Sequence, residues 1–209
     1  DPESAFIMNS LFPRELAILS KELDFTLIHF STDAVFDGSK DGPYNEADLP
    51  APVNQYGFAK YMSEEFIHHF ADNYYIFRIP MLFGEGGKGN QFVEKMISRA
   101  AKSAEIKIST DIVTSPSYTK DIAEQLLTVI KNKMEFGLYH LSNSGTASLH
   151  DVMLYITEKL NLRAQVIPAS YKDFPFLGQK NTVTPIVSTK LTPLRTWQAA
   201  LDDYLATMH

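Results

Sequence analysis

A short apolar run at residues 24–30 (DFTLIHF) constrains the fold most, because it lies between two stretches with helical periodicity. An apolar run of this length is typical of a strand that is buried on both faces of a parallel sheet. The preceding residues 4–22 place apolar side chains at helical spacings, and Pro13 is expected to kink or divide that helix. A helix that leads into such a strand predicts an α/β fold.

The rest of the chain continues this alternation. A loop rich in proline, glycine, aspartate and asparagine follows at residues 37–54, where it would hang from the carboxyl end of the strand. Ser148 with Asp151, and Ser117 or Thr119, are candidate helix caps, and Pro193 is expected in the first turn of the last helix. The predicted later helices cover residues 55–71, about 90–102, 118–131, 149–160 and 193–206, and the predicted strands cover 74–79, 106–108, 138–141 and 164–167.

Composition excludes several classes of function. The chain has 209 residues, a net charge of −6 and no cysteine, so disulfides, cysteine-bound zinc and thiol nucleophiles are absent. The chain has no block of lysine and arginine of the kind that binds nucleic acids or anionic membranes. No apolar run approaches the ~20 residues of a membrane span. We therefore expect a cytoplasmic protein. His68 and His69 lack metal-ligand spacing, and Glu46 and Asp48 are expected to form a turn.

Three features in a fixed order indicate chemistry. The strand ends in Ser31, Thr32 and Asp33, a long loop follows, and the next helix opens with Tyr56 and Lys60 four residues apart. This spacing places a phenol and an ammonium on the same helix face, where the cation favours ionisation of the phenol. A tyrosine tuned in this way can act as a general acid, and the hydroxyl of Thr32 could hold the reacting oxygen. Alone, such a Tyr–Lys pair is most often a surface feature, so the order of the three features carries the inference.

The segment STDAVFDGSKDGPYNEADLPAPVNQYGFAK resembles the signature of the dTDP-4-dehydrorhamnose reductase family, which belongs to the extended short-chain dehydrogenases/reductases. RIPMLFGEGGKGNQFVEKMI and SPSYTKDIAEQLL also resemble segments of that family. The resemblance implies a Rossmann-like parallel sheet with a smaller C-terminal α/β substrate-binding lobe. Residues 1–80 would belong to the NAD(P)-binding domain and 81–209 mainly to the substrate lobe, with segments near 110–145 returning to the first domain.

The resemblance also implies a reaction. NADPH or NADH would give a hydride to the C4 carbonyl of a nucleotide sugar, in dTDP-rhamnose and polysaccharide biosynthesis. Tyr56 would donate the proton, Thr32 would hydrogen-bond the reacting oxygen, and Lys60 would bind the nicotinamide ribose and tune Tyr56. Ser31, Arg78 and Pro80 are expected near the cofactor, together with Tyr56 and Lys60, and Asp33 and Met81 near the substrate, together with Thr32 and Tyr56.

The chain departs from the family pattern at three places. Ala34 replaces an aromatic residue, and Met81 stands where the family often has tryptophan, so the sugar pocket loses planar surface and its substrate can differ. Thr184-Pro185 stands where the family has an Arg-Pro pair, which changes the expected nucleotide contacts.

The Gly-rich turn that a dinucleotide site requires is not found in this sequence. Residues 84–89 have the wrong spacing and are expected to form a flexible loop. By the resemblance, the first strands of the domain would precede Asp1, so we expect this chain alone to be inactive and to bind NAD(P)H weakly. The first strand should then keep an unpaired edge that favours a homodimer or another strand-edge association.

Two other readings stay open. The chain also resembles the regulatory beta subunit of methionine adenosyltransferase in RIPMLFGE, which would make it a non-catalytic partner protein. A nucleotide-sugar epimerase or dehydratase is the third alternative, and STD-x-VFDG is closer to the reductases.

Overall fold

Helices and short strands alternate along the chain in a computed structural model that describes residues 1–86, 91–175 and 178–208. The predicted α/β class is confirmed. The helices are α1 (Pro2–Phe6), α2 (Phe12–Glu22), α3 (Gln55–Phe70), α4 (Phe92–Ala100), α5 (Thr119–Lys131), α6 (Leu149–Lys159) and α7 (Trp197–Ala206). The strands are β1 (Leu27–Thr32), β2 (Tyr74–Ile79), β3 (Leu82–Phe83), β4 (Glu105–Ser109), β5 (Val113–Thr114), β6 (Ser117–Tyr118), β7 (Gly137–His140), β8 (Ala147–Ser148) and β9 (Gln165–Ala169).

The first helical segment is divided as the sequence predicts. A π-helical turn at Ile7–Leu11 separates α1 from α2, and Pro13 lies in the first turn of α2, where a missing backbone N–H is tolerated. At the other end of α2, Asp24 has a φ of 51° and the Phe25 N–H donates to the oxygen of Ser20. The chain therefore turns before the strand begins, at Leu27 rather than at residue 24.

The strands β1, β2 and β7 form a parallel sheet in the order β1-β2-β7. His29 pairs with Ile76, and Phe77 pairs with Tyr139. The helices α2 and α3 cover one face of this sheet, with Ala17, Leu27, Ile67, Ala71 and Ile76 in the core between them.

The other face of β1 differs from the prediction of burial on both sides. Ile28 and Phe30 are 41% and 46% exposed, because on the face opposite α2 and α3 the helix α5 packs against β2 and β7. The alternating pattern of β1 is therefore that of a strand with one buried face.

The C-terminal part has its own core and three two-stranded sheets, β3-β6, β4-β9 and β5-β8. Helices α4, α6 and α7 contribute most of this core, and its largest buried side chains include Phe83, Met153, Trp197 and Tyr204. In the described ranges, no helix is both long enough and apolar enough to span a membrane.

Two predicted helix starts are wrong and one is confirmed. The last helix begins at Trp197 with Thr196 as its cap, so Pro193 lies before it. Tyr118 occupies the cap position of α5 without a side-chain hydrogen bond, because the Ser117 hydroxyl donates to the oxygen of Ser115 instead. Ser148 and Asp151 form the predicted capping box.

Candidate active site

A cleft of about 1050 Å³ lies at the carboxyl ends of β1 and β2, between the sheet and the C-terminal part of the chain. This is the edge where open parallel sheets usually bind ligands. Five of the predicted site residues line it: Thr32, Asp33, Tyr56, Pro80 and Met81. The remaining walls include Ala34, Asn54, Gln55, Phe92, Ile112, Thr114, Leu149, Gly178, Gln179, Lys180, Asn181 and Thr184.

Thr32 ends β1 and caps the short 3₁₀ turn Asp33–Val35. Its Oγ1 accepts a hydrogen bond from the Ala34 N–H at 3.1 Å and donates to Asp33 Oδ1 at 3.2 Å. These two bonds fix the orientation of the Thr32 hydroxyl at the edge of the sheet.

Asp33 is held by three threonine hydroxyls. Besides Thr32, Thr114 and Thr184 donate to its Oδ2 over 3.2 Å and 3.1 Å. Burial raises the pKa of Asp33 to about 6, although hydrogen bonds from Thr184, Thr114 and Thr32 oppose that rise. The carboxyl group therefore titrates not far below neutral pH. Thr114 and Thr184 were not among the predicted site residues, because no local pattern marks a contact with a residue so distant in sequence.

Tyr56 lies in the first turn of α3, whose start is fixed by the side chain of Asn54, which accepts from the Gly57 N–H at 2.9 Å. The helix packs closely here, since a Cβ atom at Gly57 would lie 2.1 Å from the Ala34 oxygen. Tyr56 is about half exposed, at 53%. Burial of its hydroxyl raises the pKa of Tyr56, hydrogen bonding with Thr32 opposes this, and the charge of Asp33 adds to the rise.

The Lys60 amine is bound to strand β1. Its Nζ donates to the Phe30 oxygen at 2.6 Å and lies 3.0 Å from His29 Nε2. Burial lowers the pKa of Lys60 to about 8, partly opposed by the charge of Glu64. The pKa of Tyr56 is set by burial, Thr32 and Asp33, contrary to the expectation that Lys60 lowers it.

Ser31 and Arg78 also lie outside the cleft wall. Both bind Glu64: the Ser31 hydroxyl donates to Glu64 Oε1, and Arg78 Nη2 lies 2.6 Å from Glu64 Oε2. Arg78 and Glu64 are 2% and 4% exposed. These two predicted cofactor residues therefore have their side chains in a buried network, leaving only their backbone for a ligand at the sheet edge.

The long loop at 37–54 is fixed to the C-terminal part. Tyr44 donates its N–H to the Pro185 oxygen at 2.8 Å, and the Thr189 N–H and the His140 N–H donate to the Glu46 carboxylate at 2.9 Å and 3.0 Å. Glu46 lies in the expected turn, which the Asp48 N–H closes on the Asn45 oxygen at 3.1 Å, and its carboxylate also joins this turn to distant segments. Asp48 forms the expected local turn, accepting from the Asn45 N–H at 2.6 Å.

The Gly-rich segment at 84–89 is only partly described, and residues 87–89 lie outside the described residues. Gly84 has a φ of 151°, and a Cβ there would lie 2.0 Å from Thr119 Oγ1. Packing against α5 therefore requires glycine at position 84. Among the residues that the structure describes, no group of three or more His, Cys, Asp or Glu side chains could hold a metal ion.

Comparisons with known proteins agree with this architecture. A dTDP-4-dehydrorhamnose reductase of Mycolicibacterium smegmatis is 33% identical over 213 residues, which cover 99% of this chain and 65% of the relative. The spore coat polysaccharide biosynthesis protein SpsK of Bacillus subtilis is 31% identical over 97% of this chain and 72% of its own length. This chain therefore spans slightly less than two thirds of the first of these relatives.

Solved structures give the same result. The dTDP-4-dehydrorhamnose reductase of Bacillus anthracis, in complex with NADP, superposes with a TM-score of 0.93 at 27% identity, covering 99% of this chain and 74% of that one. The Rossmann-like fold class is thus confirmed. A family model described as the RmlD substrate binding domain matches residues 1–209. This chain belongs to the RmlD substrate binding domain family.

Proposed function

We propose that this chain carries the catalytic tyrosine and the sugar pocket of an NAD(P)H-dependent reductase that acts on the C4 carbonyl of a nucleotide sugar. One observation carries the proposal: Thr32 at a strand end and Tyr56 at a helix start line the same cleft. Family membership and relatives named dTDP-4-dehydrorhamnose reductase support it.

Tyr56 is the proton donor in this proposal. The phenol is protonated at neutral pH and can give a proton to a carbonyl oxygen, although its raised pKa makes it a weaker acid than an ordinary tyrosine. Thr32 lies beside it; its hydroxyl hydrogen, which Asp33 accepts in this structure, would turn to the same oxygen and stabilise the charge that develops there. The partly buried Asp33 accepts a hydrogen bond from a sugar hydroxyl, and Met81 forms an apolar wall of the sugar pocket.

The residues present fit a nicotinamide cofactor. The ammonium of Lys60 has three N–H donors, of which Phe30 and His29 take two, so a third can serve a ribose hydroxyl. Pro80 forms part of the cleft wall at the end of β2, and the backbone near Ser31 and Arg78 borders it. NADPH or NADH, when bound, supplies the hydride.

The proposed domain division follows from the two cores. We assign residues 1–80 and segments near 110–145 to the dinucleotide domain, because β1, β2 and β7 share one sheet and α5 packs on it. The remaining residues of 81–209 form mainly the substrate lobe around α4, α6 and α7.

The test is an assay of the full-length protein with a dTDP-4-keto-6-deoxy sugar, followed by the loss of NADPH absorbance. Tyr56→Phe should lower kcat by about 100-fold or more, the usual scale for loss of a general acid. Tyr61→Phe on the same helix is the matched control and should leave kcat unchanged. Turnover of Tyr56→Phe close to that of the unmodified protein would reject the assignment, and absence of any turnover in the unmodified protein would favour the regulatory-subunit reading.

A further inference from the structure

His29 and Lys60 meet behind the cleft, on the side of β1 that faces α3. Lys60 Nζ lies 3.0 Å from His29 Nε2 and donates to the Phe30 oxygen over 2.6 Å. Only 8% of Lys60 is exposed. The direction of the Lys60 side chain is therefore set by two partners on the strand rather than by its own helix.

The His29 ring acts as an acceptor. Burial, and then the charge of Lys60, lower the pKa of His29 to about 3, so the ring is neutral near pH 7. A neutral imidazole has one nitrogen without hydrogen, and with the hydrogen on Nδ1 the Nε2 atom can accept from an ammonium. An ammonium and a neutral imidazole thus form a hydrogen bond here without repulsion.

Ser63 lies beside the ring on α3. Its Oγ donates to the backbone oxygen of Lys60 at 2.6 Å and is 2.9 Å from His29 Nε2, and the residue is completely buried. Because the hydrogen of Ser63 goes to the Lys60 oxygen, the lone pair of Nε2 is left for the Lys60 ammonium.

We propose that His29 is a positioning residue, which together with the Phe30 carbonyl holds the Lys60 ammonium against β1. Its importance for cofactor binding rests on the function proposed above, but the hydrogen bond to Lys60 does not. The other charged neighbour is Glu64, which raises the pKa of Lys60 and is itself paired with Arg78 of β2.

The direct test is the pKa of Lys60 in the full-length protein, measured by NMR titration with ¹³C-labelled lysine and assigned with a Lys60→Arg variant. His29→Leu removes the acceptor at similar volume, so the ammonium loses one of two partners and its pKa should fall by about one unit. His29→Gln keeps a hydrogen-bond acceptor at a similar distance from the backbone, so the pKa of Lys60 should stay close to that in the unmodified protein. His69→Gln, at an exposed position of α3, is the control and should leave Lys60 unchanged.

Activity gives a second measurement. His29→Leu should raise the KM for NADPH about tenfold with a smaller change in kcat, and His29→Gln should restore most of that loss. Circular dichroism checks that each variant is folded, and His29→Asn, too short to reach Nζ, replaces His29→Leu if the latter does not fold.

An unchanged Lys60 pKa in the folded His29→Leu or His29→Asn protein would overturn the proposal, as would equal losses in His29→Leu and His29→Gln. A shifted Lys60 pKa in a protein without reductase activity would support the positioning role and reject the proposed function. The positioning role of His29 and the proposed reductase function can therefore be refuted independently.

Discussion

Glu64 and Arg78 form an ion pair that is almost completely buried beneath the cleft. Arg78 Nε donates to Glu64 Oε1 at 3.0 Å and Arg78 Nη2 donates to Oε2 at 2.6 Å, so the pairing is bidentate. The guanidinium lies 5.1 Å from the centre of the Phe36 ring. Since Glu64 belongs to α3 and Arg78 to β2, the pair fixes the helix that carries Tyr56 to the sheet.

Glu64→Gln should lower the free energy of unfolding by about 3–5 kcal/mol, because it leaves the Arg78 charge buried without a counter-ion. Urea denaturation measures this. Lys21→Gln, which breaks the exposed pair with Asp72, is the matched control and should cost less than about 1 kcal/mol. Equal effects of the two substitutions would contradict the structural role of the buried pair.

Gly57→Ala tests the close packing of α3 on the turn after β1. Alanine normally favours a helix over glycine by about 1 kcal/mol. Here the new Cβ would lie 2.1 Å from the Ala34 oxygen, so we expect a loss of about 1–3 kcal/mol instead. Gly178→Ala, where a Cβ meets nothing within 4 Å, should leave the thermal unfolding midpoint nearly unchanged. A more stable Gly57→Ala protein would refute the packing argument.

Asp33→Asn should change how stability depends on pH. The pKa of Asp33 is about 6 in the folded chain against 3.8 for the ordinary group, so the folded state binds this proton more tightly. Ionisation of Asp33 therefore costs stability as pH rises through the window between these two values, and the cost stays constant above it.

The asparagine variant lacks this cost. Relative to the unmodified protein, it should gain about 2.5 kcal/mol between pH 4 and pH 8, measured by urea denaturation at both pH values. A difference that does not depend on pH would show that Asp33 has an ordinary pKa. Asp173→Asn, at an exposed position, is a suitable control.

The outer edge of β1 should make this chain associate. Within the described residues β1 pairs with β2 alone, and Ile28 and Phe30 expose apolar surface beside that edge. We expect a mass that rises with protein concentration in sedimentation equilibrium, and Phe30→Glu should reduce this rise. Leu49→Glu, at a loop position that is 87% exposed, should not. A monomer at all concentrations would argue against association through β1.

Helices and strands whose two ends are marked by nearby residues were predictable from sequence. The strand β2 has the predicted bounds because an apolar run with β-branched and aromatic residues ends at Pro80. The start of α7 was misplaced because Pro193 resembles a first-turn proline. There the backbone is held extended instead, since Ser144 donates its N–H to the Arg195 oxygen and accepts from the Trp197 N–H.

The candidate site was predictable in part for the same reason. The order of Thr32, Asp33 and Tyr56 along the chain places them at one edge of a parallel sheet, which sequence periodicity alone can indicate. The contacts of the Lys60 amine, in contrast, could not be predicted from sequence. A four-residue spacing allows the amine to turn towards Tyr56 or towards the strand, and the tertiary contact with His29 decides between them.

The three hydroxyl bonds to Asp33 have a consequence for how the molecule forms. Thr114 and Thr184 lie 81 and 151 residues further along the chain, so closing these contacts requires very long loops to close first. The sheet can assemble from neighbouring segments, but the carboxylate obtains all of its partners only when the segment around Thr184 has docked. The wall of the cleft at Asp33 is therefore completed late in folding.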